Sequence, residues 1–502
     1  MRRLALAAAL LIAATVSAGT RDNDDTCDIK VGPAATLLLP YFEVDLDHPG
    51  GQTTVFTVTN ISRYPQIAHV TLWSDLAYPV LDFNLFLAGY DTQAINLFDV
   101  IAGGVIAPPA GTSSATAPGS LSAPNTANSY LDPSTLPCSS PVNLPAVVRN
   151  AVKSGLTLGV FKPGGDFHGG GIACAEIGRA HQNAAGYVTI DVVSHCTSRL
   201  PTDPLYYTTD LLFDNVLIGD YQQLGAHAAG TPAGAYTAGG NPMVHIRAVP
   251  EGGSAGSLVA TDLPYTFYDR YTPADHRAVD RRQPLPATFA ARYIQGGKSG
   301  FATNLSIWRE GYAGSGASCK DYAANDRMAY GEIVRFDEHE NPFVQSCFGF
   351  FGYCYSSPVL PPTSSTNTSQ YDLYPPLIGT DIAGWLYLNI SNCGSKNYSV
   401  TNDAGFPTNM PGALSPAGST NIAGPRPSQG WVTVTMFGKV GSQNLSAEFD
   451  AASLGNGCSP APFLSGMRPL APAGGVFVCP PGPTLTNGTT ALCTGTNVNP
   501  KP

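Results

Sequence analysis

Thr53-Thr54-Val55-Phe56-Thr57-Val58-Thr59 is a run of β-branched residues around one aromatic, with no glycine, proline or charge. β-Branched side chains lose freedom in a helix and pack well on a pleated strand. The stretches that follow alternate. His69 to Trp73 puts Val70 and Leu72 on one face, and Leu81 to Leu87 puts Leu81, Phe83, Leu85 and Leu87 on one face. Ile95 and Leu97 close the set. Turn residues separate these runs: Pro49-Gly50-Gly51, Ser62 to Pro65, Tyr78-Pro79 and Gly89. Short strands of period two, spaced about ten residues apart, predict an antiparallel sandwich.

The same period recurs down the chain. Tyr187 to Val193, Met243 to Val249, Phe289 to Ile294, Ala302 to Trp308 and Glu332 to Phe336 read as strands. So do Trp385 to Ile390, Trp431 to Phe437 and Leu445 to Phe449. Residues 103–142 are mostly Ala, Pro, Ser, Thr and Gly and read as an exposed insertion. A short helix is expected after it, with Asn143 as cap, Pro145 in its first turn, Val148 and Val152 on one face, and Gly155 at its end. Residues 357–375 form a Pro/Ser/Thr-rich connector. The expected fold class is mainly β, with few short helices and Pro/Gly-rich loops. The expected units are a sandwich over 27–200, a central β domain over 201–356, a C-terminal β region over 376–458 and a Pro/Gly-rich tail over 459–502.

Composition agrees with this reading. The 54 glycines and 43 prolines make up close to a fifth of 502 residues, against about 12% in average usage. Charged residues are 12%, about half the usual share. That excludes a coiled coil and a highly charged disordered chain. The formal net charge of −10 is a poor match for nucleic acid, which requires a basic footprint.

The N-terminus reads as a secretory signal. Arg2 and Arg3 precede an apolar run from Leu4 to Thr15, and Val16-Ser17-Ala18 supplies small residues for cleavage after Ala18. No later run reaches the 18 or so apolar residues of a membrane span, so the mature chain is expected to have none. Export makes disulfides the default for the 11 cysteines, none of which forms a C-x-x-C pair. Cys174 with Cys196, Cys347 with Cys354, and Cys479 with Cys493 are the local candidates, and the odd count leaves one thiol over. The expected compartment is the periplasm, the cell surface or the medium.

Val58-Thr59-Asn60-Ile61-Ser62, followed by Ala68-His69-Val70-Thr71-Leu72 and then Gly89, resembles a bacterial immunoglobulin-like sandwich over roughly residues 36–100. In such modules one strand ends at an Asn-x-Ser turn and its neighbour returns with alternating apolar residues. The whole chain also resembles uncharacterised exported bacterial proteins. The resemblance implies a fold and a compartment but brings no catalytic residues, because such modules serve adhesion, assembly and other tasks.

Two constellations invite a chemical reading. His168-Gly169-Gly170-Gly171 matches an esterase oxyanion loop, and Gly252-Gly253-Ser254-Ala255-Gly256 matches the G-x-S-x-G elbow, with Asp337 and His339 as imaginable partners. An elbow needs a helix after its serine, yet Pro264 follows closely, so two glycine-rich loops are the favoured reading. The second constellation is charge. Asp269 to Arg282 holds eight ionisable residues, and Trp308-Arg309-Glu310 and Arg335 to Glu340 follow. His276, Asp280, Arg281, Arg282, Arg309, Glu310, Asp337 and Glu338 are the candidate binding residues, with an arginine forking onto a carboxylate or a sugar hydroxyl. The competing reading is a salt-bridged contact between domains.

Metal readings are weaker. Asp45-x-Asp47 reads better as an acidic turn than as a calcium site, and Cys196 beside His195 reads better as a disulfide than as a ligand. Trp73 lies on the strand face opposite Val70 and Leu72, where it would either stack on a sugar or pack under a neighbouring domain. No cofactor is expected. The expected function is non-enzymatic binding, adhesion or assembly, with other surface proteins or glycans as partners. The alternative is a secreted hydrolase acting on carbohydrate or ester.

Overall fold

Strands whose alternate residues are apolar must cover that face, and here four antiparallel sheets cover one another. The computed structural model describes residues 31–105, 144–161, 174–225, 241–249, 280–309, 333–343, 383–389 and 430–455, apart from scattered positions within them, and the short strands at 124–125 and 363–367. Residues 1–30, nearly all of the stretch from 106 to 143, and the residues after 455 lie outside the described residues. With strands numbered along the chain, the first sheet runs β12 (Val244–Ile246), β1 (Thr36–Val44), β9 (Ala184–Val193), β3 (Gln66–Ser74), β4 (Pro79–Leu87), β6 (Pro124–Asn125). The second runs β11 (Asn241–Pro242), β10 (Leu217–Leu224), β2 (Thr53–Asn60), β5 (Thr92–Asn96).

The third sheet runs β16 (Pro342–Phe343), β15 (Ile333–Asp337), β18 (Ala383–Asn389), β13 (Thr288–Ile294), β21 (Ala452–Gly455). The fourth runs β17 (Thr363–Asn367), β14 (Ala302–Arg309), β19 (Gly430–Val440), β20 (Gln443–Asp450). A two-stranded ribbon joins β7 (Val160–Phe161) to β8 (Cys174–Ala175). The stretch 201–356, expected as one central unit, supplies strands to both pairs of sheets: β10–β12 to the first two and β13–β16 to the last two.

Registers place the predicted apolar stripe together. Leu37 pairs with Ile190, Ile190 with Val70, and Val70 with Phe83, so these share one face of the first sheet. That face meets Phe56 and Val58 of β2, and all six side chains are buried. One hydrophobic cluster continues through Phe289, Leu305, Ile307, Leu388, Val432 and Val434 of the last two sheets. Burying this much apolar surface is the main driving force for the fold.

β1 does not alternate. Its sequence, Thr-Leu-Leu-Leu-Pro-Tyr-Phe-Glu-Val, is nearly continuously apolar because both of its faces are buried. Its register with β9 shifts between Leu39 and Phe42, which accommodates Pro40 at an irregularity in the ladder. The strand β17 falls inside the stretch read as a connector.

The helix α1 (Ala146–Leu158) buries Val148, Ala151, Val152 and Leu156 along one side. It does not end at Gly155. That glycine lies on the packed side, where a Cβ would stand 3.1 Å from Val80, so its smallness permits close approach. The helix stops instead at Gly159, whose φ of +64° is the left-handed conformation that glycine adopts without strain.

Two contacts tie the sheet pairs together. Trp73 stacks on Tyr187 at 5.6 Å with nearly parallel rings, and Trp308 of β14 meets the same tyrosine edge-on at 5.8 Å. Trp73 is therefore fully buried under the neighbouring β structure and is not a sugar platform. Elsewhere, the Tyr221 hydroxyl on β10 donates to Glu448 Oε1 on β20 at 3.1 Å. Glu448 Oε2 is enclosed and, among the described residues, has no hydrogen-bond partner, although the residue as a whole is only half-buried.

Burial, opposed by the Tyr221 hydrogen bond and reinforced by Asp450, pushes the Glu448 carboxyl up to about 7. A raised carboxyl pKa means that the folded state binds more protons than the unfolded state between about 4.5 and 7. Stability from this group is thus greatest below pH 4.5 and falls as pH rises through 7. Glu448→Gln is expected to remove that dependence and to stabilise the protein by about 1–2 kcal/mol at pH 8, allowing for partial exposure. Urea unfolding at pH 5 and pH 8 measures it.

Candidate functional site

The second face of the first sheet is polar and yet buried. Cross-strand neighbours Thr36, Asp191, His69 and Asn84 form one row, and Leu38, Thr189, Thr71 and Asp82 form the next. All eight are at most 1% exposed. Polar groups in such a place must find partners inside the protein. Trp73 Nε1 donates to Thr189 Oγ1 at 2.8 Å. Asn84 Nδ2 donates to the Thr197 carbonyl at 2.8 Å. Tyr206, on the short π-helical turn Tyr206–Asp210, donates its hydroxyl to Asp191 Oδ2 at 2.6 Å.

This face is where the predicted charge cluster arrives. Residues 280–283 run beside the end of β12: Ala248 bridges Arg282, Val249 N donates to Arg281 O, and Gln283 N donates to Arg247 O, the last two at 2.8 Å. Arg282 forks onto Asp280 through Nε and Nη2, each at 2.9 Å. Its Nη1 donates to Asp191 Oδ1 at 2.8 Å and to Thr36 Oγ1 at 3.1 Å. Arg281 lies over the Phe213 ring at 4.5 Å. Asp280, Arg281 and Arg282 are each at most 1% exposed. Their chemistry is directed at the protein itself, as in a salt-bridged contact.

Of the other candidates, three are described, and they sit in or just after strands of the third and fourth sheets. Arg309 ends β14 opposite Gly430, while Asp337 ends β15 in the third sheet and accepts a hydrogen bond from the His339 amide at 2.8 Å. Glu338 is exposed. His276 and Glu310 lie outside the described residues, as do both glycine-rich esterase motifs and Cys347, Cys354, Cys479 and Cys493.

Two smaller polar groups resolve into structure. Asp45 accepts from the Asp47 and His48 amides and from the His48 ring; burial opposes ionisation, but these bonds win and hold its carboxyl below the usual range. Buried His69 shares a hydrogen bond with Asn84 at 3.2 Å. Burial pushes its pKa down, against the pull of Asp191, Asn84 and Asp210, and keeps the ring neutral. Among the described residues, no three His, Cys, Asp or Glu side chains converge to hold a metal ion.

A further line of contacts escaped the sequence reading. Ser194 Oγ lies 2.8 Å from His195 Nδ1, and His195 Nε2 lies 3.3 Å from Asp210. The order imitates a nucleophile, base and acid. However, Ser194 Oγ donates to the Thr209 carbonyl at 3.0 Å, and Asp210 is already neutralised by Arg199 at 2.7 Å. The Ser194 amide is bonded to Asp210 O, so it is not available to an oxyanion.

At the open end of the second sheet the picture reverses. Ile61, Tyr64 and Tyr90 are three of the nine exposed large hydrophobics among the described residues, and all three lie on two adjoining loops. Tyr90 N donates to Ser62 O at 3.0 Å, tying the loops together. Buried Asn60 braces them: its amide donates to Tyr64 O at 2.7 Å and Ala88 O at 2.8 Å, and accepts from Ser62 N at 2.9 Å. Gly89 presses on the Arg63 carbonyl so closely that a Cβ would stand 2.3 Å from its oxygen. Tyr90 has φ of +62°, a left-handed conformation costing a bulky residue roughly 1–2 kcal/mol. The Asn-x-Ser turn at 60–62 and Gly89 are the sequence signals for this end, and nothing in the sequence marks Tyr90 itself.

No family model matches the chain, and neither does any curated protein or solved structure.

Arg282→Ala would leave Asp280 and Asp191 buried without their countercharge. The expected loss is about 3–5 kcal/mol in urea unfolding, with Arg282→Lys intermediate because it keeps the charge and loses the fork.

Proposed function

We propose that the chain is an exported, non-enzymatic protein of the cell surface or extracellular space, built on sandwich modules of immunoglobulin-like type and working by binding or assembly. The observation that carries this reading is the braced loop tip at the end of a sandwich, where Ile61, Tyr64 and Tyr90 face solvent. Residues held on loops by a rigid scaffold are where binding surfaces concentrate. The charged residues at 280–282 support the same reading, since they are spent on the fold and leave no acid–base pair there for turnover. The signal pattern from Arg2 to Ala18 favours export, and a disulfide between Cys174 and Cys196 would suit an oxidising compartment. Other surface proteins or glycans are the proposed partners, and the acidic charge disfavours nucleic acid.

A secreted hydrolase is the second reading, and the Ser194–His195–Asp210 line is the observation on its side. A panel of ester and glycoside substrates, run beside a binding screen against glycans and surface extracts, separates the two. The expected outcome is saturable binding with no turnover. Turnover abolished by Ser194→Ala would replace the binding reading with the hydrolase.

A further inference from the structure

We infer that the paired loops around 61–65 and 88–91 form a saccharide-binding tip, with Tyr64 and Tyr90 as platforms for sugar rings. This rests on the binding function proposed above and names its ligand class.

The tip is built rather than incidental. Tyr90 is 73% exposed and Tyr64 is 59% exposed, so neither ring helps to fill a core. Tyr90 nevertheless keeps a positive φ that glycine would adopt freely, and the rest of the tip over-determines that geometry. Asn60 fixes both loops from beneath through three hydrogen bonds, and Gly89 lets them interlock. The ordering entropy that a flexible aromatic loop would lose on binding is therefore already spent.

The chemistry suits a neutral sugar. A pyranose has an apolar C–H face that packs on an aromatic ring and a rim of hydroxyls that needs donors and acceptors. Arg63 stacks over one face of the Tyr64 ring, 4.7 Å from its centre, and donates to its hydroxyl, so a guanidinium donor sits beside the platform. The sheet surface continues from the tip through the exposed Thr59 and Thr92 hydroxyls, which pair at 2.9 Å. Arg63 is the tip's one cation, and the Asp91 carboxylate is occupied by the Ala88 and Thr92 amides. A single positive charge is a poor anchor for anionic lipid, which takes several basic residues. Three side chains also fall well short of the roughly 800 Å² per partner of a stable protein interface.

The test uses the full chain and an array of neutral oligosaccharides: β-linked glucans, xylans and mannans, and chitin fragments. The wild type is expected to bind at least one, and Tyr64→Ala or Tyr90→Ala to weaken that binding tenfold or more. Tyr90→Trp should retain it. Tyr90→Gly should lose binding while raising the melting temperature, a gain that a merely structural ring would not give. Glycan binding unchanged in the Tyr64→Ala/Tyr90→Ala double variant would overturn the tip but leave the binding function standing elsewhere. Absence of any neutral-glycan binding would overturn the sugar assignment, and a surface protein captured by the wild type and lost by the double variant would do the same. A chain that binds neither glycans nor surface proteins would overturn the proposed function as well.

Discussion

Arg282 brings a positive charge into the interior, and much of the first half of the molecule is arranged to neutralise it. Asp280 takes the fork of its guanidinium, and Asp191 on β9 takes the remaining edge. Asp191 is shared with Thr36 on β1 and Tyr206 on the π-helical turn. One charge thus ties together segments up to 246 residues apart in sequence, from Thr36 on β1 to Arg282 itself. Such a cluster adds little net stability over an apolar one, because desolvation offsets its Coulomb attraction. Its effect is on choice among arrangements: any other seating of 280–283 takes the countercharge away from Asp191 in a dry interior.

That constraint explains how a sandwich sheet can have both faces covered. One face meets the second sheet through the expected apolar stripe. The other carries His69, Thr71, Asp82, Asn84, Thr189 and Asp191, a set that would ordinarily face water. It is instead capped by Tyr206, Tyr207 and Arg282, and beside it Trp308 closes on Tyr187. With these groups committed to one another, the proposed binding rests, among the described residues, on the exposed aromatic tip at the far end of β2.

Much of the fold was legible in the sequence because alternation survives wherever one face is covered by apolar side chains. β2, β3, β4, β13, β14 and β19 follow their patterns closely. β1 and the polar face of the first sheet were not legible, for one reason: burial on both faces erases the period of two in β1 and places polar residues in a core elsewhere. The charge at 280–282 was conspicuous, but sequence cannot tell an arginine facing solvent from one facing two carboxylates. The Asn60 turn was read for the fold it implies. Its partner, Tyr90, gave no sign, because a left-handed tyrosine cannot be distinguished from any other loop residue without the backbone.

Residues 280–283 are thus seated in the interior beside the end of β12 and are not an open, ligand-facing loop. Hydrogen–deuterium exchange of the full chain tests it most directly, through the amides of Val249, Arg282 and Gln283. They are expected to be protected for as long as those of β1 and β9 and to exchange together with them. Exchange of these amides on the timescale of an exposed loop, while β1 and β9 stay protected, would contradict the account and return the cluster to the surface.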